Sequence, residues 1–128
     1  MLKLLFIALG GALGTSLRYG LGVGMTRWLG PSFPFGTLAA NVIGSFLLGV
    51  VMAAAGEREV AGVRWTAVLG IGVLGGFTTY SSFNIDVIRL AEHDEWGKAG
   101  LYLTATVIVC LFAGLGGLML GRSMRGDA

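Results

Sequence analysis

Gly70 to Asn84 read GIGVLGGFTTYSSFN. This stretch interrupts an apolar, membrane-length segment with a glycine pair, Gly75 and Gly76, followed at once by the hydroxyls of Thr78, Thr79, Ser81 and Ser82. An unwound backbone in hydrocarbon leaves N–H and C=O groups unpaired at several kcal/mol each, so such a break survives only where it faces protein, lines a cavity or holds an ion. Adjacent glycines let the chain leave helical geometry, and the hydroxyls replace donors and acceptors that the backbone forfeits. The segment is therefore read as a transmembrane helix broken at 75–79, with the break as the functional site. The competing reading, a soluble core strand with a flexible turn, fails on composition.

That composition is 55% hydrophobic and 12% charged, with a mean hydropathy of +0.80, whereas soluble domains carry roughly a quarter of charged residues. The expected fold is an all-α integral membrane protein with a single four-helix domain, its spans near 4–24, 35–55, 65–90 and 101–120. Each span is about 20 residues, which matches the hydrocarbon thickness. The chain holds 23 glycines, and small residues four apart let helices approach closely in lipid. Gly10 with Gly14, Gly20 with Gly24, Ala40 with Gly44, Gly72 with Gly76 and Gly117 with Gly121 have that spacing. The first apolar run is too long for a signal peptide's core, and equally apolar runs follow it. Cys110 is the only cysteine, so no internal disulfide forms. A net charge of +2 without a basic tract excludes a nucleic-acid partner.

Within the first run Arg18 needs explaining, because a guanidinium deep in lipid costs at least about 2.5–3.5 kcal/mol on insertion scales. It either snorkels to the interface or stands at the floor of a wet vestibule, where it concentrates an anion. Residues 25–34, with Arg27, Trp28, Gly30, Pro31 and Pro34, read as a connection. In the second run Thr37, Asn41, Gly44, Ser45 and Leu48 recur at spacings of three and four and so share one helical face. Asn41 is the most informative of them. Its amide either bonds a neighbouring helix or lines a polar path. Gly56 to Arg64 reads as a charged loop, and Asp86 and Arg89, three apart, as a pair near the membrane surface. His93 lies among consecutive acids without the spaced ligands that a closed metal site needs. Thr104, Thr106 and Cys110 are the polar positions of the last run, Tyr102 stands near its end, and the tail from Gly121 is read as frayed.

Four spans would put both termini on one side. Lys3, Arg58, Arg64, Arg122 and Arg125 then face Arg18, Arg27, Arg89 and Lys98 across the membrane, five positives against four. Such a near tie predicts insertion in both orientations, so that two antiparallel copies form an inverted repeat between chains. The alternative is one orientation, set by where the charges lie rather than by their number.

Three motifs, GALGTSLRYGLG at Gly11 to Gly22, GTLAANVIGSFLLG at Gly36 to Gly49 and GVLGGFTTYSSF at Gly72 to Phe83, together resemble the Fluc (CrcB-like) fluoride channels, over essentially the whole chain. The resemblance implies a dual-topology homodimer in the bacterial plasma membrane, with two antiparallel fluoride pathways. It implies Asn41 and Phe83 as pore-lining residues, Ser81, Ser82 and Thr106 as a polar track, and the carbonyls of Gly75 and Thr78 from both chains as ligands of a structural sodium ion. Tyr80 stands where that family usually has phenylalanine, and Thr106 where it has serine. With Thr37 and Arg18 these make up the expected ion pathway, whose partners are fluoride, a second antiparallel copy and membrane lipid.

The residues themselves suit an anion. Amide, hydroxyl and aromatic groups flank the expected path, no carboxylate is expected inside it, and a fixed negative charge there would repel an anion. A small proton-coupled exporter of cationic drugs would call for an embedded carboxylate, and a non-transporting assembly subunit would move nothing. No nucleophile, base and orienting group converge by spacing, so an enzyme is not expected.

Overall fold

The computed structural model describes residues 1–56, 58–60 and 62–126; the side chain of Val60 lies outside that description, as do Glu57 and Ala61 of the charged loop and Asp127 and Ala128 of the tail. Three long helices dominate: α1, Leu2–Leu29; α2, Phe35–Ala54; and α5, Trp96–Arg125. Between the last two lies a segmented stretch. It begins with a small antiparallel hairpin, β1 Glu59–Val60 and β2 Val63–Arg64, turned by Gly62 at φ +71°. A π-helical segment, Thr66–Leu74, follows, then α3, Gly75–Phe77, and α4, Tyr80–Glu92.

The helix limits follow from local chemistry. Gly30, at φ +82°, donates its N–H to Thr26 O and closes α1, and the Pro31 to Pro34 stretch prevents continuation. Gly126, at φ +79°, closes α5 by donating to the carbonyls of Arg122 and Ser123. Two expectations are corrected here. Residues 25–29 continue α1 rather than forming a connection, and 121–125 are helix rather than frayed tail, because no glycine turn or proline intervenes before those two ends.

Among the described residues, α1, α2 and α5 are long and apolar enough to cross a membrane. Their outward faces carry large apolar side chains such as Leu13, Met52 and Phe112, each more than half exposed. So broad an apolar surface requires lipid or a partner.

The glycine pair does not make the break. Gly75 and Gly76 are helical, and the chain becomes extended at Thr78 (φ −81°, ψ 157°) and Thr79 (φ −155°, ψ 117°). The glycines instead serve packing, since a Cβ on Gly76 would stand 2.6 Å from the Gly11 carbonyl, and one on Gly72 would stand 2.9 Å from that of Ile7. The β-branched threonines suit the extended turn. Gly10 and Gly14 meet the same segment from α1, and Gly49, Gly117 and Gly121 form the seam between α2 and α5, whereas a Cβ on Gly20 or Gly24 would meet nothing within 4 Å among the described residues beyond its own helix. At the far end Phe83, Leu90, Ala99 and Tyr102 form a buried cluster, against which Phe33, Leu38 and Val87 pack.

Candidate functional site

The extended step at Thr78 and Thr79 frees backbone groups, and the sequence supplies a partner for most of them. Asn41 on α2, only 8% exposed, answers Thr79 twice: its Nδ2 donates to Thr79 O at 3.1 Å, and the Thr79 N–H donates to Asn41 Oδ1 at 2.7 Å. The side-chain amide thus mimics one rung of a β-ladder. One Nδ2 hydrogen is left over, since an amide carries two. Thr79 also caps α4: its Oγ1 accepts from the Ser82 N–H at 3.1 Å and lies within hydrogen-bond distance of the Ser81 and Ser82 hydroxyls.

On the other side of the break the Thr78 N–H and hydroxyl both donate to Leu74 O at 2.9 Å. The Gly76 carbonyl accepts from Arg18 Nε at 3.2 Å and from Thr15 Oγ1 at 3.4 Å, both on α1. The carbonyl of Thr78 accepts no hydrogen bond among the described residues, and that of Gly75 lies three residues before it, at the start of the short α3. Oxygen donors of this kind, on an unwound helix, are hard ligands suited to a small alkali cation.

An open cavity of about 590 Å³ lies beside the break, with Thr15, Arg18, Thr26, Arg27, Thr37 and Thr79 in its wall. Among the described residues two guanidinium groups and no carboxylate line it, so its potential is positive. A second cavity, of about 350 Å³, shares Thr26 and is lined also by Asp86, Arg89, His93 and Glu95. Asp86 and Arg89 do not pair as the spacing suggests. Asp86 accepts a hydrogen bond from the fully buried Tyr102 hydroxyl at 3.3 Å, while the ion pair seen on this side joins Lys98 to Glu95. Among the described residues, carboxylates thus line the second cavity, in Asp86 and Glu95, and not the first.

Two polar stripes face each other across α2 and α5. Thr37 stands beside Tyr102 and Ser45 beside Cys110, with Asn41 and Thr106 four residues along from Thr37 and Tyr102. Thr106 is 6% exposed, and its hydroxyl has no hydrogen-bond partner among the described residues. The Phe83 ring is buried 5.3 Å from that of Tyr102 and 5.7 Å from that of Tyr80.

Arg18, Thr37, Asn41 and Thr79 therefore come together at the break, and Phe83 packs on Tyr102. Tyr80, 78% exposed, and Ser81 point outward, away from the first cavity. Sequence reasoning named the Thr79 hydroxyl at the break but not its backbone pairing with Asn41, and it gave no role at the site to Tyr102, Thr15 or Arg27. Tyr102 had a legible signal, because 102, 106 and 110 lie four apart on one face. The side chains of Thr15 and Arg27 had none, since nothing in a single sequence tells which turn of α1 meets the break.

The family described as CrcB-like protein, Camphor Resistance (CrcB), matches residues 5–118. The chain is 42% identical over 124 residues to the fluoride-specific ion channel FluC of Agrobacterium fabrum, covering 97% of this chain and 99% of that one. It is 46% identical over 119 residues to the protein of the same name from Sorangium cellulosum, covering 93% and 94%. A third, from Anaeromyxobacter sp. strain K, is 44% identical over 126 residues, covering 98% and 100%.

Proposed function

The chain belongs to the CrcB-like protein family, and from that premise we propose that two copies, inserted in opposite senses, form a fluoride-specific channel in a bacterial plasma membrane. It is a multi-pass membrane protein and a fluoride channel. The relatives carry that name, and the apolar helices suit the location. In this reading the segmented stretch 65–90 is the fourth membrane span of each copy, and fluoride leaves the cell passively, down its own gradient.

The observation that carries the reading is the cavity walled by Arg18 and Arg27 that ends on Thr79 and Thr37 beside Asn41. Positive potential raises the local concentration of an anion at this floor. Fluoride is small and tightly hydrated, so it advances only where donors replace its water. The second Nδ2 hydrogen of Asn41 and the hydroxyls of Ser82 and Thr106 are such donors, and the unpartnered Thr106 hydroxyl supports this assignment. The edge of the Phe83 ring, positive by its quadrupole, adds a weaker attraction. Tyr80 and Ser81 lie on the outer face with Ile85 and Ile88. A second copy laid on that face would enclose them and complete the route, which supports a pathway at the dimer interface.

The carbonyls of Gly75 and Thr78 would give a structural sodium ion two ligands from each copy, and the Thr78 carbonyl, which accepts no hydrogen bond among the described residues, supports this assignment. When bound, such an ion would neutralise converging carbonyl dipoles and tie the copies together. Replacing sodium by a large organic cation should weaken the dimer; an unchanged dimer in sodium-free buffer would remove this assignment and leave the pathway standing.

Fluoride efflux from vesicles carrying the purified protein, measured beside chloride efflux, tests the function. Rapid fluoride release with chloride retained is expected. Equal release of both, or neither, refutes it, and the names of the relatives already favour this reading over a cation exporter.

A further inference from the structure

At 30 residues α5 is about 45 Å long, against a hydrocarbon core of about 30 Å, so its ends reach the headgroup layers. Trp96, two-thirds exposed, marks one end, as tryptophan does at membrane interfaces. Arg122 and Arg125 mark the other.

A cavity of about 400 Å³ opens there on the flank of the α2 and α5 seam, lined by Met52, Ala53, Leu118, Arg122 and Arg125. Residues 118, 122 and 125 follow spacings of four and three and so share one face of α5. The lining is amphipathic along the membrane normal, with Leu118 and Met52 towards the hydrocarbon and two guanidinium groups towards water. Among the described residues no carboxylate lines it.

Arg125 is held over the cavity by donating from Nη1 to the Ala53 carbonyl at 3.3 Å, where the negative end of α2 also attracts it. One guanidinium is thus fixed in place before any ligand arrives. Arg122 has no hydrogen bond or ion pair among the described residues, so its fork of donors is free to grip an oxyanion at two points.

We propose that this cavity binds the phosphate of an anionic phospholipid, whose acyl chain runs along Leu118 and Met52. Two arginines over an apolar floor fit a phosphodiester that carries a hydrocarbon tail better than they fit free phosphate, which would leave the floor uncovered. A zwitterionic lipid brings a cation that the arginines repel. The inference needs only that α2 and α5 span a membrane, so it stands or falls apart from fluoride conduction.

Native mass spectrometry of the full-length protein, released from detergent in the presence of phosphatidylglycerol, phosphatidylcholine or inorganic phosphate, is the test. Phosphatidylglycerol should bind at least tenfold more tightly than phosphatidylcholine, and phosphate alone should neither bind nor raise the melting temperature. Arg122→Gln, which leaves the Arg125 contact with Ala53 in place, should lose most of that preference, and Arg122→Lys should keep part of it. Arg58→Gln with Arg64→Gln, basic residues outside the cavity, should lose none. The proposal is overturned if the two lipids bind alike, if Arg122→Gln binds like the unaltered protein, if removing Arg58 and Arg64 has the same effect, or if phosphate alone reproduces the stabilisation. A melting temperature of Arg122→Gln equal to that of the unaltered protein, both without added lipid, confirms that the variant is folded.

Discussion

Replacing Asn41 separates its two duties, because alanine and aspartate each remove a different part of the amide. Asn41→Ala deletes both bonds to Thr79, the 3.1 Å donation to its carbonyl and the 2.7 Å acceptance from its N–H. Buried groups left unpaired cost about 1–3 kcal/mol each, so the loss is about 2–6 kcal/mol, a large part of a typical folding free energy of about 5–15 kcal/mol. Asn41→Asp keeps the acceptor for the Thr79 N–H but loses the donor and sets a carboxylate oxygen against the Thr79 carbonyl in a buried site, so its stability should fall at least as far. Its effect on transport is separate. A fixed carboxylate 4 Å from a passing anion, at an effective dielectric of about 20, raises the energy by about 4 kcal/mol, or roughly a thousandfold in rate. Fluoride efflux from vesicles, read with a fluoride electrode, gives the rate, and thermal unfolding of the same preparations gives the stability. Folded Asn41→Asp protein that conducts at the unaltered rate would mean that Asn41 does not face the ion. Asn41→Ala that melts where the unaltered protein melts would mean that the Thr79 pairing contributes nothing.

Glycines in contact and in open space should respond oppositely to alanine. A Cβ on Gly76 would stand 2.6 Å from the Gly11 carbonyl and 3.1 Å from the Gly11 Cα, backbone that cannot swing aside, so Gly76→Ala should destabilise by about 1–3 kcal/mol. Gly97, in α5 with nothing within 4 Å, should gain about 0.5–1 kcal/mol in Gly97→Ala, and melting curves of the two variants decide the matter. Arg18→Gln removes one charge from the first cavity; fluoride efflux should fall most at low ionic strength, and the gap to the unaltered protein should narrow as salt screens the remaining field. A gap that stays constant across salt concentrations would assign Arg18 only the task of holding the Gly76 carbonyl.

The helices and the chemistry of the second were legible because each rests on a repeating pattern. Apolar runs of bilayer length predict α1, α2 and α5, and spacings of three and four gather Thr37, Asn41 and Ser45 on one face. The exact position of the break was not legible, for a physical reason. Glycine both permits a bend and permits close approach, and a single sequence does not say which use applies. Here the backbone of α1 at Gly11 lies on Gly76, so that glycine is spent on contact and the bend passes to Thr78 and Thr79. Those threonines could take it because Asn41 stood opposite to complete their backbone bonds. The same limit hid Asp86. Its spacing from Arg89 suggested a surface pair, but the rotation of α4 that buries Phe83 and Leu90 against Ala99 and Tyr102 also brings Asp86 beneath the Tyr102 hydroxyl. Local spacing fixes which residues share a helix face, and only packing between helices decides what that face meets. The polar site of this protein therefore lies where α1, α2 and the broken segment converge, each contributing groups that none of them reveals alone.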